Sequence, residues 1–290
     1  MERMEFTLKL GLLMPLGINP FKNNLYTDIE EIASNYLDTL WVRDVPIASN
    51  YDNDLGSWYD PFTYLGFLAR NLRNTNCKLG IATINASIRN PIITTKEILS
   101  IQSLTDNKFI LGLGGGDKKD ILDLFNVEAI DKEKLVGKFL NHLNSSIILK
   151  KDNFIKGGTY ALPENYKPPE IHLASSSETI WSNSPNILNG WMVWYLPPKL
   201  FKEKLNKIKK LRNIDQVTLS LNLIIKKEDI LEVGVYKGIT CIYVSINRLK
   251  EFFSLYKNMG VTQFLVSIIY SENFVYDIIR IKDILEEIAY

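Results

Sequence analysis

The sequence has few of the residues that mark disulfide-stabilised or metal-binding proteins. Its 290 residues include two cysteines and two histidines. Cys77 and Cys241 are too few for a disulfide framework and form no C-x-x-C pair, as expected for a chain kept in a reducing compartment. His142 and His172 are far apart and show none of the usual metal-ligand spacings, so no metal site is predicted.

Long apolar runs and an excess of one charge are also missing. No stretch of about eighteen uninterrupted apolar residues occurs, so no membrane span is expected. The apolar segment 8–16 contains Lys9 and is followed by no small-residue cleavage site, so we interpret residues 7–13 as a strand and not as part of a signal peptide. The 34 basic and 33 acidic residues nearly cancel, which gives no electrostatic reason to expect nucleic acid or an anionic membrane as a partner. We expect a globular cytoplasmic protein.

What the sequence does have is a regular alternation of short apolar runs with longer segments of helical periodicity. The predicted strands occupy residues 7–13, 39–45, 77–84, 109–113, 170–174, 190–194, 217–225 and 263–268. The predicted helices occupy residues 28–37, 60–71, 91–104, 131–148, 177–183, 198–213, 249–259 and 273–288. This pattern predicts an α/β protein built as a (β/α)8 TIM barrel, with residues 1–290 forming one domain. A doubly wound sheet is the competing architecture.

Three segments exceed the minimal pattern and are predicted to be loops or insertions. They are residues 48–59, 151–169 and 226–246. The third contains Gly234 and Gly238 between short apolar pieces, which indicates small irregular structure. The first and third follow strands, and loops after barrel strands line the active site.

Residues 77–117 form the most informative unit: a strand, a polar loop, a helix, a second strand and a glycine loop. Parallel strands joined by a helix place their C-terminal ends on one side, so the polar loops 85–90 and 114–117, which begin with Asn85 and Gly114, are predicted to face the same site. The glycine loop does not match the G-x-G-x-x-G motif of dinucleotide-binding proteins, because Asp117 stands where the last glycine is required. The glycines instead predict close backbone approach to a flat ligand, or a sharp turn.

The serine-rich junction before the predicted helix 177–183 is a candidate anion site. Ser175, Ser176, Ser177 and Thr179 bring hydroxyls and free backbone N–H groups to a helix start, where the helix dipole also favours a phosphate. Plain N-capping by Ser177 is the alternative. A serine nucleophile would require a G-x-S-x-G elbow, which is absent.

The end of the second strand carries a possible ion pair and the sixth strand an aromatic group. Arg43 and Asp44 adjoin, and strand alternation predicts that only one of them faces the barrel mouth. A salt bridge between them is the structural alternative to a functional role. Trp194, at the end of the sixth strand, is expected either to form an aromatic wall of the site or to pack in the core. His172 is predicted to be packed in the interior, with a position at the pocket mouth as the alternative.

Several of these segments resemble one known family. The runs WVRDVP (41–46), DPFTYLGFLA (60–69), LGIATINASIRNP (79–91) and LTDNKFILGLGGGD (104–117), with the serine-rich turn before Trp181, resemble the bacterial luciferase-like flavin oxidoreductases. The RDVP and GD elements resemble the luciferase-type oxidoreductase subgroup. The resemblance covers nearly the whole chain in order. It implies a (β/α)8 barrel that binds FMN, or the deazaflavin F420 in relatives, at the C-terminal mouth of the strands.

The resemblance also implies roles for individual residues. It places Ala82 and Thr83 where members often have a non-proline cis peptide against the isoalloxazine ring, and Asp44 near the flavin or substrate. It places the turn from Ser175 to Thr179 at the ribityl phosphate and Trp194 on the ring pocket.

The chain departs from the family pattern at three positions. Val45 stands where bacterial luciferase has a histidine, Ile110 where it has a phosphate-binding arginine, and Lys118 where the subgroup usually has arginine. Luciferase chemistry is therefore not implied, and a weaker flavin affinity is expected.

The resemblance, taken with these features, implies an FMN-dependent oxidoreductase, of monooxygenase type, acting on a small organic substrate. Asp44 and Arg43 are the candidate catalytic residues. NAD(P)H or a separate flavin reductase is the expected electron source, and the protein is expected to pair as a homodimer. The alternatives are F420-dependent hydride transfer and a non-catalytic flavin-binding barrel.

Overall fold

The computed structural model describes residues 8–14, 25–47, 59–128, 131–148, 160–162 and 164–289. Thr7, at the start of the first predicted strand, lies outside them. So do residues 48–58 and most of 151–169, the first two predicted insertions.

Eight parallel strands close into a barrel. Its strands are β1 (Lys9–Leu13), β2 (Thr39–Val42), β3 (Lys78–Asn85), β4 (Phe109–Gly114), β5 (Glu170–Leu173), β6 (Gly190–Trp194), β7 (Gln216–Lys226) and β10 (Gln263–Tyr270). Neighbours follow chain order from β1 to β7, and β10 completes the barrel by pairing with both β7 and β1. The predicted (β/α)8 barrel is confirmed, and the doubly wound alternative is wrong because the sheet has no open barrel edge.

Helices alternate with these strands and cover the outside of the barrel. They are α1 (Leu25–Asn35), α2 (Pro61–Asn71), α3 (Pro91–Leu104), α4 (Lys119–Leu124), α5 (Lys132–Leu143), α6 (Glu178–Asn183), α7 (Pro198–Leu211), α8 (Ile246–Met259) and α9 (Phe274–Ala289). Among the described helices, none is long and apolar enough to cross a membrane.

Helix starts follow local chemistry that the sequence makes visible. Asp60 accepts hydrogen bonds from the N–H groups of Phe62 and Thr63, and Asn90 caps α3 in the same way, each with proline at the first helical position. Two features were not predicted. Helix α4 follows the glycine loop, and the predicted helix 131–148 ends as a π-helical turn, Asn144–Ile148.

The prediction of irregular structure for the segment 226–246 is wrong. The segment forms a hairpin of β8 (Leu231–Tyr236) and β9 (Ile239–Ser245). The two strands pair antiparallel, and β9 pairs in parallel with the end of β7. Gly238 does not break the segment, because it occupies the turn with φ 83° after Lys237 with φ 48°. Two successive residues with positive φ make the tight turn that matches the twist of a hairpin.

Large side chains and a short polar network fill the barrel interior. A Cβ at Gly80 would lie 2.4 Å from the fully buried Trp41 ring, so glycine leaves the room that the ring occupies. Gln263 donates to the Thr39 hydroxyl over 3.1 Å, and Thr218 joins Gln263 to the ring of His172. The interior packing predicted for His172 is confirmed, since it is 1% exposed.

Acidification is expected to destabilise the fold through His172. Burial lowers the pKa of His172 from its ordinary 6.5 to about 4. The unfolded chain therefore binds a proton that the folded protein does not, and stability falls as the pH drops from about 6.5 towards 4. The expected contribution at pH 5 is about 2 kcal/mol. Urea unfolding from pH 7.5 to 5 measures it, with His172→Gln expected to flatten the pH dependence. An equal slope in the variant would contradict the assignment.

Candidate functional site

A cavity of about 540 Å³ opens at the C-terminal ends of the barrel strands. Small-molecule sites commonly have volumes of roughly 300–1,000 Å³. Its wall includes an apolar group, comprising Leu13, Val45, Pro46, Ala82, Ile121, Trp194, Ile239, Ile242, Ile268 and Ile269. Its polar and charged lining comprises Arg43, Asp44, Thr83, Asn85, Asp117, Lys118, Tyr195, Ser220, Asn222, Tyr236, Lys237, Thr240 and Ser267.

The structure brings together about half of the predicted site residues. Those on the cavity wall are Arg43, Asp44, Ala82, Thr83, Asn85 and Trp194. Those predicted but not among the described lining residues are Gly114, Ser175, Ser176, Ser177 and Thr179. Trp194 is 45% exposed at the mouth, so the wall interpretation, and not core packing, describes it.

The end of β3 forms one wall, and the glycines of β4 lie close to it. The Ala82–Thr83 peptide is cis, as the resemblance implied. A Cβ at Gly112 would lie 2.4 Å from the carbonyl oxygen of Ile81, and one at Gly114 would lie 3.1 Å from Thr83 Oγ1. The β4 glycines therefore allow close approach of the two strands.

Gly116 provides the sharp turn that was the other predicted use of a glycine. Its φ is 72°, and a Cβ there would lie 2.3 Å from the Asn85 amide. Asn85, which lines the cavity, is thereby placed against the backbone of the glycine loop. Asn85 also orders its own loop, because its side chain accepts a hydrogen bond from the N–H of Ser87 over 3.1 Å.

Arg43 and Asp44 both line the cavity, contrary to the prediction that only one could. The reason is that β2 ends at Val42, so strand alternation no longer governs the two residues. The partner of Asp44 is Arg89, which sequence reasoning did not single out. Arg89 donates from Nε over 2.8 Å and from its terminal nitrogen over 2.7 Å, one bond to each carboxylate oxygen.

The carboxylate of Asp44 is nearly saturated with donors. Its side chain is 2% exposed, and Oδ2 also accepts from the N–H of Asn85 over 3.2 Å. Each carboxylate oxygen has two acceptor positions, and among the residues that the structure describes only Arg89 donates to Oδ1, which leaves one position for a further donor. Arg89 is held in turn by Asp60 at 3.4 Å and Glu97 at 3.6 Å.

The serine-rich turn begins α6 as predicted, and Ser177 caps the helix. Ser177 Oγ accepts from the N–H of Ile180 over a long 3.4 Å and donates to the carboxylate of Glu133. Ser175 Oγ accepts from the N–H of Ser177 over 3.1 Å. The capping role is therefore present, and the phosphate role stays a prediction, with an acidic side chain now bonded to Ser177.

Sequence reasoning missed the polar residues on the opposite strands. Ser220 and Asn222 of β7 and Ser267 of β10 line the cavity. A signal was available in the first two, since Thr218, Ser220 and Asn222 alternate with apolar residues inside an otherwise buried strand. That period of two indicates one polar face, which here is the barrel interior and its mouth.

Comparisons with known proteins agree with this architecture. A family profile described as "Luciferase-like monooxygenase" matches residues 36–225. The 4-hydroxyprotoasukamycin monooxygenase of Streptomyces nodosus subsp. asukaensis is 22% identical over 141 residues, which cover 49% of this chain and 37% of that protein. The chain thus spans little more than a third of the length of that curated relative.

Solved structures with the same fold match nearly the whole chain. An F420-dependent secondary alcohol dehydrogenase in complex with an F420-acetone adduct has a TM-score of 0.74 and 12% identity, covering 97% of this chain and 99% of that one. Riboflavin lyase RcaE with modified FMN and riboflavin has a TM-score of 0.68 and 13% identity, covering 97% and 92%. At these identities the likeness is one of fold.

Proposed function

Because the chain belongs to the luciferase-like monooxygenase family, we propose that it is an FMN-dependent oxidoreductase of monooxygenase type that acts on a small organic substrate. The observation that supports this most is the cavity itself. It opens at the strand ends where barrel enzymes have their active sites, and Ala82 and Thr83, which the family resemblance assigns to the flavin ring, lie on its wall.

The lining has the chemistry that a flavin ring requires. Ala82, Trp194 and Ile268 offer apolar surface for a flat ring, whereas Thr83 and Asn222 offer hydroxyl and amide groups for its polar edge. When bound, FMN would supply electron transfer and oxygen activation, the steps that protein side chains cannot perform. The chain would supply the orientation of the substrate, a cavity that excludes water, and charges near the reacting atoms.

Asp44 and Arg43 are the proposed substrate-directed groups. The remaining acceptor position on Asp44 Oδ1 can receive a hydrogen bond from the substrate or from a bound ring. The bidentate contact with Arg89 keeps that oxygen in one orientation. In this proposal Asp44 orients the substrate or moves a proton at Oδ1, and Arg43 offers a positive charge at the same wall.

The turn from Ser175 to Thr179 is the proposed phosphate site. Replacing Ser175 and Thr179 together by alanine is expected to weaken FMN binding at least tenfold, because charge-assisted hydrogen bonds contribute about 1.5–3 kcal/mol. Riboflavin, which lacks the phosphate, serves as the control ligand and should bind equally to both forms. Fluorescence titration measures both affinities.

Glu133 provides a second variant for the same site. Its carboxylate is bonded to Ser177 and would repel a phosphate there, so Glu133→Gln is expected to tighten FMN binding while leaving riboflavin binding unchanged. Unaltered FMN affinity in both variants, or equal losses for FMN and riboflavin, would place the phosphate elsewhere.

F420-dependent hydride transfer is the second candidate, favoured by the fold shared with the F420-dependent alcohol dehydrogenase. The visible spectrum of the purified protein, alone and after titration with each cofactor, distinguishes the two. Flavin bands with saturable FMN binding support the proposal. Binding of F420 alone supports the alternative, and binding of neither supports a barrel without redox activity. We further propose that NAD(P)H or a flavin reductase supplies electrons and that the protein pairs as a homodimer.

A further inference from the structure

The hairpin of β8 and β9 is a part of the cavity wall that the proposed function leaves unused. It is fixed to the barrel, because β9 pairs in parallel with β7 from Ile242 to Ser245. Asn222 strengthens this attachment by donating to the carbonyl oxygen of Thr240 over 3.0 Å. Ile242 and Val244, two residues of β9, are buried. The tip is therefore held at a defined position beside the mouth.

The turn of the hairpin carries a cation to that position. Lys237 is the first of the two turn residues with positive φ, and it lines the cavity together with Tyr236 and Ile239. Its ammonium lies 5.4 Å from the centroid of the Tyr236 ring, a cation–π contact that orients the side chain. The tip thus combines one positive charge with aromatic and aliphatic surface.

The charges on the cavity wall favour an anion. Among the lining residues that the structure describes, the cations are Arg43, Lys118 and Lys237, and the carboxylates are Asp44 and Asp117. Among these residues the cations outnumber the carboxylates by three to two. A cleft of one sign raises the local concentration of ligands of the opposite sign.

We propose that Lys237 binds the anionic end of the substrate, so that the site takes small organic anions with an apolar body. Ile239 and Ile242, on the same hairpin, would contact that body. This inference rests on the proposed function, since it assigns the substrate class of the same cavity. Lys237 is distinct from the proposed site of the cofactor phosphate. That site follows β5, whereas the hairpin that carries Lys237 pairs with β7, on the far side of β6.

Calorimetric titration with three ligands of equal chain length tests the proposal. Octanoate, octanamide and octylammonium share an eight-carbon chain, and their head groups are negative, neutral and positive at neutral pH. In the unaltered protein octanoate is expected to bind about three- to tenfold more tightly than octanamide at low salt, an effect between an exposed ion pair and a charge-assisted hydrogen bond. Lys237→Met should bring the ratio to about one, and Lys237→Glu should reverse the preference towards octylammonium.

Lys226→Met is the matched control. Lys226 is also exposed, lies at the base of the same hairpin and contacts an aromatic ring, Tyr270, at 6.0 Å, but it is not among the lining residues. The control removes the same charge and should keep the octanoate preference. No preference in the unaltered protein, a preference retained in Lys237→Met, or an equal loss in Lys226→Met would each overturn the proposal.

Flavin titrations separate this proposal from the proposed function. Lys237→Met is expected to bind FMN and riboflavin as the unaltered protein does, and a selective loss of FMN would assign Lys237 to the cofactor phosphate and refute the substrate role. If no flavin binds at all, the proposed function fails, yet the octanoate preference still decides whether the cavity selects anions.

Discussion

Replacing Asp44 by asparagine is expected to lower turnover by 10²–10⁴-fold, the range associated with loss of a proton-transfer group. Asparagine is nearly isosteric but carries no charge, and one of the two atoms facing Arg89 becomes a donor. The variant should also be less stable, but by less than the roughly 3–5 kcal/mol lost when a buried pair is broken outright, because Asp60 and Glu97 remain as partners of Arg89. Oxygen consumption supported by reduced flavin and thermal unfolding, measured on one preparation, give the two values.

Arg89→Lys is the control that separates chemistry from packing. It keeps the positive charge and the Asp44 carboxylate but loses the bidentate geometry. A comparable loss of stability with much of the turnover retained would assign the chemical role to Asp44 itself. A destabilised Asp44→Asn variant with full turnover in its folded fraction would refute that role and leave the pair as a structural bridge between the ends of β2 and β3.

The largest effect on stability is expected from Gly112→Ala. Its Cβ would lie 2.4 Å from the carbonyl oxygen of Ile81 and 3.1 Å from a methyl of Thr83. The first neighbour cannot rotate away, since it is backbone of β3. Overpacking a core typically costs about 1–3 kcal/mol, and a clash with fixed backbone places this variant at the upper end. Thermal unfolding should show a decrease of about 6–12 °C for a domain of this size.

Gly66→Ala is the matched control, because glycine to alanine at this position is expected to raise stability and not to lower it. Gly66 lies within α2, and among the described residues nothing beyond its chain neighbours and the backbone of its own helix lies within 4 Å of the position that a Cβ would take. Alanine is favoured over glycine inside a helix by about 1 kcal/mol, so this variant should be slightly more stable than the unaltered protein. A Gly112→Ala variant as stable as Gly66→Ala would show that β3 and β4 can separate without cost.

The strands and helices of the barrel were predictable because each depends on local sequence. Apolar runs such as 109–113 are long enough for a buried strand and too short for a helix, and caps such as Asp60 and Asn90 mark helix starts. The hairpin was not predicted because it depends on pairing between distant segments and not on local sequence. Only in the structure does the register of β9 along β7 show why Gly238 belongs to a turn between two paired strands.

The site was predictable to the extent that it follows from strand ends. Asp44, Thr83 and Asn85 end or follow strands, and a parallel barrel brings such positions together. The pairing of Asp44 with Arg89 was not predictable, because it joins residues 45 positions apart and depends on how the loop after β3 turns. The contact between Glu133 and Ser177 is also tertiary, and it affects the charge of the predicted phosphate turn.

The closure of the barrel by β10 has a consequence for how the chain matures on the ribosome. β1 and β7 both require β10 as a neighbour, yet β10 begins at Gln263, about 250 residues after β1. Until β10 has been synthesised, therefore, β1 exposes an unpaired edge, and so does β7 once it has formed, which is the condition that favours association between nascent chains. Native closure can occur only after β10 has left the exit tunnel, so chaperones that shield strand edges during synthesis should increase the yield of folded protein.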